Sequence, residues 1–396
     1  MADTALNANP PMRWSTTWGL TAGVCAVGSE ALLLSPVLAD IGRDFALSPA
    51  ETGFAVTIYG IALAAVAPFA GLISDRLSRK RTLRLGLIVF SLAGFGAAFA
   101  SNFAILLVAR ALCAVGAALF LPSSYAYVGD EVPFDRRAQV MGRVMFGWSI
   151  SMVLGVPLGG ALSEIVGWRG ALASLALLGL FVLAMLWRLP SRHRPNTEPG
   201  ALKRLVGNLW RLICQGKILL LLTVNFLNMF SFYGVYTYLG TDLRDTLQTG
   251  GGGAALYAGF YGLGFGISTI NGRLADRLGK PRTLIIALLC LAVVLSALPI
   301  AAHGAITLAL AMCIWGIFQG GVMVSLPSIV TEQSTELRGS VTALLSCTTY
   351  IGVTIGSSAM GLVFEGAGYQ VVGLSCGAAS LLAALLFLMR RRVADL

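Results

Sequence analysis

Long apolar runs recur along the whole chain, each close to the roughly 20 helical residues that cross a hydrocarbon layer. In lipid, backbone N–H and C=O groups have no water partner, so runs this long must be helical. Twelve are predicted, at 18–38, 53–73, 83–100, 104–128, 140–162, 170–189, 218–239, 256–273, 284–301, 305–329, 341–364 and 371–389. Composition agrees: 57% of the 396 residues are hydrophobic and only 12% are charged, against about 25% charged in soluble domains. The 47 glycines, many of them within the runs, suit helices that approach closely.

Positive charge sits on alternate connections. One side holds Arg13; Arg76, Arg79, Lys80, Arg81 and Arg84; Arg136, Arg137 and Arg143; and Arg188, Arg192, Arg194, Lys203, Arg204, Arg211 and Lys217. The same side continues with Arg273, Arg277, Lys280 and Arg282; Arg338; and Arg390, Arg391 and Arg392. Of the 28 lysines and arginines, only Arg43, Arg169 and Arg244 fall on the other side, and Arg110 lies within a span. This bias predicts that the basic side, with both termini, is cytoplasmic. It also accounts for the net charge of +10 without a nucleic-acid partner. The N-terminal MADTALNANPPM lacks the basic and apolar regions of a cleaved signal, so the first run is expected to remain as a span.

The seven cysteines (Cys25, Cys113, Cys214, Cys290, Cys313, Cys347 and Cys376) form no CxxC pair and read as reduced packing residues. His193 and His303 lie in or near loops, so no histidine metal centre is expected. No Walker A sequence is present, which argues against ATP hydrolysis.

The chain divides into 1–188, a linker at 189–217, and 218–396. The linker opens with Pro190, Pro195 and Pro199, then places Leu202, Leu205, Leu209, Leu212 and Ile213 on one face of a short helix, expected to lie along the membrane surface. The flanking halves repeat one another. GLISDRLSRKRTL (71–83) and GRLADRLGKPRTL (272–284) agree at seven of thirteen positions, including Asp75 with Asp276 and Arg76 with Arg277. Pro122 follows Arg110 by twelve residues, as Pro327 follows Trp315. Six-helix repeats of the same direction imply two bundles about an axis normal to the membrane, with a site between them.

The chain resembles the major facilitator superfamily over essentially its full length. The loop motif GLISDRLSRKR, with Ser78 where glycine is usual, and its copy GRLADRLGKPR carry the resemblance, with LLVARALCAVGAA (106–118) similar to the fourth-helix arginine motif. Drug:proton antiporters and arabinose-efflux-like exporters look closest. GSEALLLSPVLADIGRDFALS resembles their first helix, with Glu30 at a recurrent acid. GVPLGG (155–160) resembles their fifth-helix antiporter motif, with Val156 between Gly155 and Pro157, and YTYLG (236–240) resembles their seventh-helix end. The resemblance implies twelve transmembrane helices in two six-helix bundles, in a bacterial inner membrane. It implies proton-coupled export of a drug, sugar or related metabolite by alternating access, and no enzyme activity. A proton symporter importing a nutrient on the same fold is the alternative. A monomer without a cofactor is expected, driven by the proton gradient and in contact with lipid.

Glu30 is the only acid well inside a predicted span. A charge there is costly, so it is expected to face a cavity or a partner. Burial favours a protonated carboxyl, which suits a group that takes up and releases protons. A structural ion pair, or an acid merely near the outer interface, is the alternative. At 1.5 Å per residue, Glu30 lies about 12 Å and Arg110 about 9 Å from the same membrane edge, so the two can pair; a fixed structural Arg110 satisfied by carbonyls is the alternative. The loop residues Asp75, Arg76, Arg79, Lys80, Arg81, Asp276, Arg277 and Arg282 are expected to make inter-helix contacts at an inner gate, with Asp130, Glu131, Glu332 and Glu336 as available acids. Membrane topology alone is the competing explanation. Gly155, Pro157, Gly159 and Gly160 allow close packing and distort the helix, either sealing the interface or only kinking it. Tyr59, Asn225, Asn228, Tyr233, Tyr236, Tyr257, Tyr261 and Gln319 are candidate substrate contacts, with helix–helix hydrogen bonding as the alternative. The second half has no mid-span charge, which favours a neutral or cationic substrate. Gly250–Gly253 reads as a flexible loop.

Overall fold

The computed structural model describes residues 14–190, 200–267, 277–334 and 336–394. The chain is helical almost throughout, as α1 (Trp14–Phe45), α2 (Pro49–Leu77), α3 (Arg79–Ala98), α4 (Phe103–Glu131), α5 (Phe134–Ile150) and α6 (Val156–Leu186). After the short α7 (Ala201–Ile213) come α8 (Gly216–Leu247), α9 (Gly251–Gly266), α10 (Lys280–Ala301), α11 (Ala305–Glu332) and α12 (Arg338–Ala394).

Nine helical stretches among the described residues are long and apolar enough to cross a membrane. Two of them, Phe134–Leu186 with 53 residues and Arg338–Met389 with 52, would be about 80 Å long if straight, far more than a bilayer core. Each folds back at one glycine in the left-handed region, Gly167 at φ 74° and Gly368 at φ 78°. Each therefore supplies two spans, which makes eleven among the described residues; α9, of 16 residues, ends at Gly266. Several helices start before the predicted spans, α1 at Trp14, α2 at Pro49 and α3 at Arg79. At the start of α2, Ser48 accepts from the Glu51 amide and Glu51 accepts in return from the Ser48 amide, with Pro49 in the first turn. This reciprocal box satisfies two otherwise orphan donors.

Helices α1 to α6 form one bundle and α8 to α12 the other. They meet along three contacts, α2 against α12, α1 against α8 and α6 against α9. The loops with Arg76–Arg81 and Lys280 define a basic end; the cross-bundle hydrogen bonds gather toward the opposite, far end. There the Tyr236 hydroxyl donates to the Leu32 carbonyl at 3.2 Å, and Thr57 meets Ser357 and Ser358, each at 2.9 Å. Toward the basic end the bundles part. Eight of the first twelve residues of α2 are buried, but beyond Gly60 only Leu63, Ala70 and Ser74 are. In α7, Leu202, Val206, Trp210 and Ile213 point outward and exposed, an apolar stripe suited to a lipid surface.

One local departure from α-helix matters for the site. Between α5 and α6, Ser151–Gly155 forms a π-turn in which the Val156 amide bonds to the Ser151 carbonyl, five residues back. A π-turn absorbs one extra residue into a helix. The Gly250–Gly253 run is likewise not a loop: Gly251 opens α9.

Candidate functional site

Between α1, α2 and α4 the first bundle buries an ion pair. Glu30 Oε1 meets Arg110 Nη1, with Glu30 only 3% and Arg110 0% exposed. The Arg110 Nε donates to the Ala55 carbonyl at 3.3 Å, and its guanidinium lies over the Tyr59 ring, 4.5 Å from the centroid. Three helices therefore converge on one charge pair. Glu30 Oε2 and Arg110 Nη2 have no hydrogen-bond partner among the described residues. Buried polar atoms are seldom left so.

The GVPLGG segment packs beside this pair. A Cβ on Gly155 would lie 1.9 Å from the Ser29 hydroxyl oxygen, one residue from Glu30. Gly159 faces Leu33, and Gly160 faces Ala255 and the Gly251 carbonyl of the opposite bundle. Pro157 touches Gly259. The motif is thus wedged between α1 and α9, and its missing side chains set how closely the bundles approach.

The candidate substrate residues divide. Tyr59 belongs to the charge pair. Asn225 donates to Thr348, Thr349 and the Leu345 carbonyl, and lines a cavity of about 170 Å³ with Met229, Met323, Ser346, Thr349 and Tyr350. Asn228 is buried, and its amide nitrogen has no partner among the described residues. Gln319 is buried in α11. Tyr233 packs edge-on to Phe232, and Tyr257 is half-buried against Phe260. Two of the candidates are packed inside the protein. Tyr236 is a far-end clamp, 3% exposed, its hydroxyl on Leu32 and its carbonyl accepting from Ser35. Tyr261 is walled in by Phe232, Phe265 and Trp315.

At the basic end, Arg79 bridges Asp75 at 2.7 Å and Asp130 at 3.0 Å, tying the start of α3 to the end of α4. Lys280 pairs with Glu332 at the equivalent place in the second bundle. Both ties lie within a bundle. Arg76, Lys80, Arg81, Arg277 and Arg282 form no ion pair between described residues, and Asp276 lies outside the described set. Arg79 with Asp130 and Lys280 with Glu332 are inter-helix contacts, each within its own bundle.

The far end carries charges that sequence reasoning passed over. Arg244 of α8 forks onto Asp40 of α1, with Nη1 to Oδ1 at 2.7 Å, and also donates to the Pro36 carbonyl at 3.1 Å. Arg43 pairs with Asp40 and Arg169 with Asp44. These are the three arginines that broke the charge asymmetry, and each has an acid beside it. The nearby acids Asp40 and Asp44 were the available signal.

Two bundles closed at one end and open at the other, with a buried charge pair in the wall, define a membrane transporter rather than an enzyme. The Major Facilitator Superfamily model matches residues 20–332 and 221–395, and the chain belongs to that superfamily. The MFS-type transporter YwfA of Bacillus subtilis is 35% identical over 92% of this chain and 89% of its own length. A probable sugar efflux transporter of Pasteurella multocida is 25% identical over 89% of this chain and 86% of its own. Among solved structures, a D-xylose-proton symporter superposes with a TM-score of 0.77 at 18% identity, over 94% of this chain and 97% of that one. A bacterial homolog of the human lysosomal transporter Spinster, inward-facing and unoccupied, gives 0.76 at 17% identity, over 95% and 96%. At these identities the structures speak for the fold alone.

Proposed function

We propose that the protein is a proton-coupled antiporter of the bacterial inner membrane that exports a small, neutral polar molecule, a sugar or related metabolite, by alternating access. The observation that carries this is the Glu30–Arg110 pair. Protonating Glu30 removes the charge that holds Arg110, and so loosens α1 from α2 and α4 together. Losing that proton on the other side restores the tie. The position of GVPLGG between this pair and α9 supports the antiport reading, because movement of α1 there is transmitted to the bundle interface. The basic loops favour a cytoplasmic basic end, which makes this conformation inward-facing. Amide and hydroxyl groups in the wall around Asn225, without a charged residue among those lining the cavity, suit a neutral solute. The relative named as a sugar efflux transporter places sugars first in the search.

The test is proton movement in energised everted vesicles, offered sugars, nucleosides, amino acids and cationic drugs, with wild type beside Glu30→Gln. Collapse of the pH gradient by one class of compound, seen with wild type only, is expected. Uphill transport by Glu30→Gln against a proton gradient would remove Glu30 from the coupling path. Proton uptake with the solute instead of against it would establish symport.

A further inference from the structure

Two carboxylates at the far end make the same contact in opposite directions. Glu164, in the first part of α6, accepts from the Gly252 amide at 2.8 Å, in the first turn of α9 in the opposite bundle. Glu365, in the first part of α12, accepts from the Ala50 amide at 2.8 Å, in the first turn of α2 in the opposite bundle. First-turn amides have no partner within their own helix, and the dipole there favours a negative group. Each carboxylate thus caps a helix of the other bundle.

The pair is related by the internal repeat. Glu164 stands three residues before Gly167, and Glu365 three before Gly368. Those glycines adopt nearly the same conformation, φ 74°, ψ 169° and φ 78°, ψ 172°, and each precedes a buried aromatic, Trp168 or Tyr369. Apart from Glu, Gly and that aromatic, EIVGW and EGAGY share no residue. The surroundings are fitted to each cap. A Cβ on Gly250 would fall 2.1 Å from Glu164 Oε1, so only glycine leaves the carboxylate its seat. At α2 the Ser48–Glu51 box occupies its own two amides and leaves the Ala50 amide to Glu365.

Both carboxylates are on exposed residues, so neither is expected to contribute much to folding. Their contacts, however, join the two bundles and can exist only while the far end is closed. An interaction made in one state and lost in the other shifts that equilibrium by its full worth, however modest. We propose that Glu164 and Glu365 are a symmetry-related pair of latches that hold the far end shut, each by capping a helix of the opposite bundle. The inference rests on alternating access as proposed above, and not on the solute or the coupled ion. Failure of the Glu30 experiment therefore leaves it standing.

The test uses full-length protein with its seven cysteines replaced and spin labels at Ser101 and Ala305, exposed positions at the far end of either bundle. Glu164→Ala and Glu365→Ala should each raise the ratio of long to short label distances several-fold, and the double variant by the product of the two. Gly250→Ala, which displaces the Glu164 carboxylate without removing its charge, should act like Glu164→Ala and add nothing to it. Asp245→Asn, an exposed acid on α8 outside these contacts, should match wild type. A double variant that keeps wild-type helicity and elution but also the wild-type distance distribution overturns the proposal. So does a Gly250→Ala effect that multiplies that of Glu164→Ala.

Discussion

Removing either partner of the Glu30–Arg110 pair should cost far more stability than removing both. Breaking a buried ion pair from one side costs about 3–5 kcal/mol, because a lone charge is left in a poor solvent, while replacing both partners is often close to neutral. The surroundings then rank the two single variants. After Glu30→Gln, Arg110 keeps the Ala55 carbonyl at 3.3 Å and the Tyr59 face at 4.5 Å, and the latter contact alone is worth about 0.5–2 kcal/mol. After Arg110→Gln, the Glu30 carboxyl has no other partner among the described residues, but it can take up a proton and so avoid a buried charge, which the Arg110 guanidinium, even with those two contacts, cannot do. Glu30→Gln should therefore fall near about 5 kcal/mol, Arg110→Gln near about 3 kcal/mol, and the double variant below both. The assay is the fraction of monodisperse purified protein remaining after a temperature ramp, read as a rank order because unfolding from detergent is seldom reversible. Transport separates the two roles: all three variants should lose proton-linked movement, although the double variant is well folded. If the double variant is the least stable of the three, or both singles match wild type, the pair is not the energetic unit described here.

Three further outcomes are expected. Gly155→Ala forces a Cβ to within 1.9 Å of the Ser29 oxygen; overpacking of this kind costs about 1–3 kcal/mol, and adding Ser29→Ala should recover part of it in the same thermal assay. Ser78→Gly should stabilise the protein. Ser78 sits at φ 83°, ψ 145°, where a side chain costs about 1–3 kcal/mol, and glycine's extra freedom when unfolded returns about 0.4–1 kcal/mol, leaving a net gain of about 1 kcal/mol and a higher melting temperature. Unchanged melting would show that the loop relaxes at no cost. Asp40→Asn weakens the fork from Arg244, whose hydrogen bonds to a charged partner are each worth about 1.5–3 kcal/mol; a cysteine at Thr241 should then react faster with an impermeant thiol reagent, and an unchanged rate would exclude this fork from far-end closure.

How much of this was legible in the sequence differs by feature, for physical reasons. The spans were legible because lipid leaves the backbone one solution, and the depth of Glu30 and Arg110 because helical rise converts residue number into distance. Their shared partners on α2 were not, since a carbonyl and a ring face leave no pattern in a sequence. Tyr236 and Tyr261 were read as substrate contacts from residue type, which does not tell a cavity wall from a packed interface. The far-end acids escaped notice because a five-residue repeat with three shared positions is weak beside thirteen-residue loops that share seven.

The two bundles are alike where they have a mechanical task in common and differ where the proposed chemistry lies. Arg79 on Asp130 repeats as Lys280 on Glu332, Gly167 repeats as Gly368, and Ser78 at φ 83° repeats as Gly279 at φ 85°. The place of Arg110 in the second bundle is held by Trp315, fully buried among Phe232, Tyr236 and Tyr261. The described residues of the second bundle include no counterpart of the π-turn. A titratable pair against one face and an aromatic cluster against the other give the bundles unequal responses to a proton. Protonation then acts on α1 and its neighbours alone, and the GVPLGG segment at α9 carries that one-sided change across the interface. Two identical bundles would respond alike, with nothing to set one against the other; the asymmetry at Arg110 and Trp315 is what allows a single proton to bias their relative position.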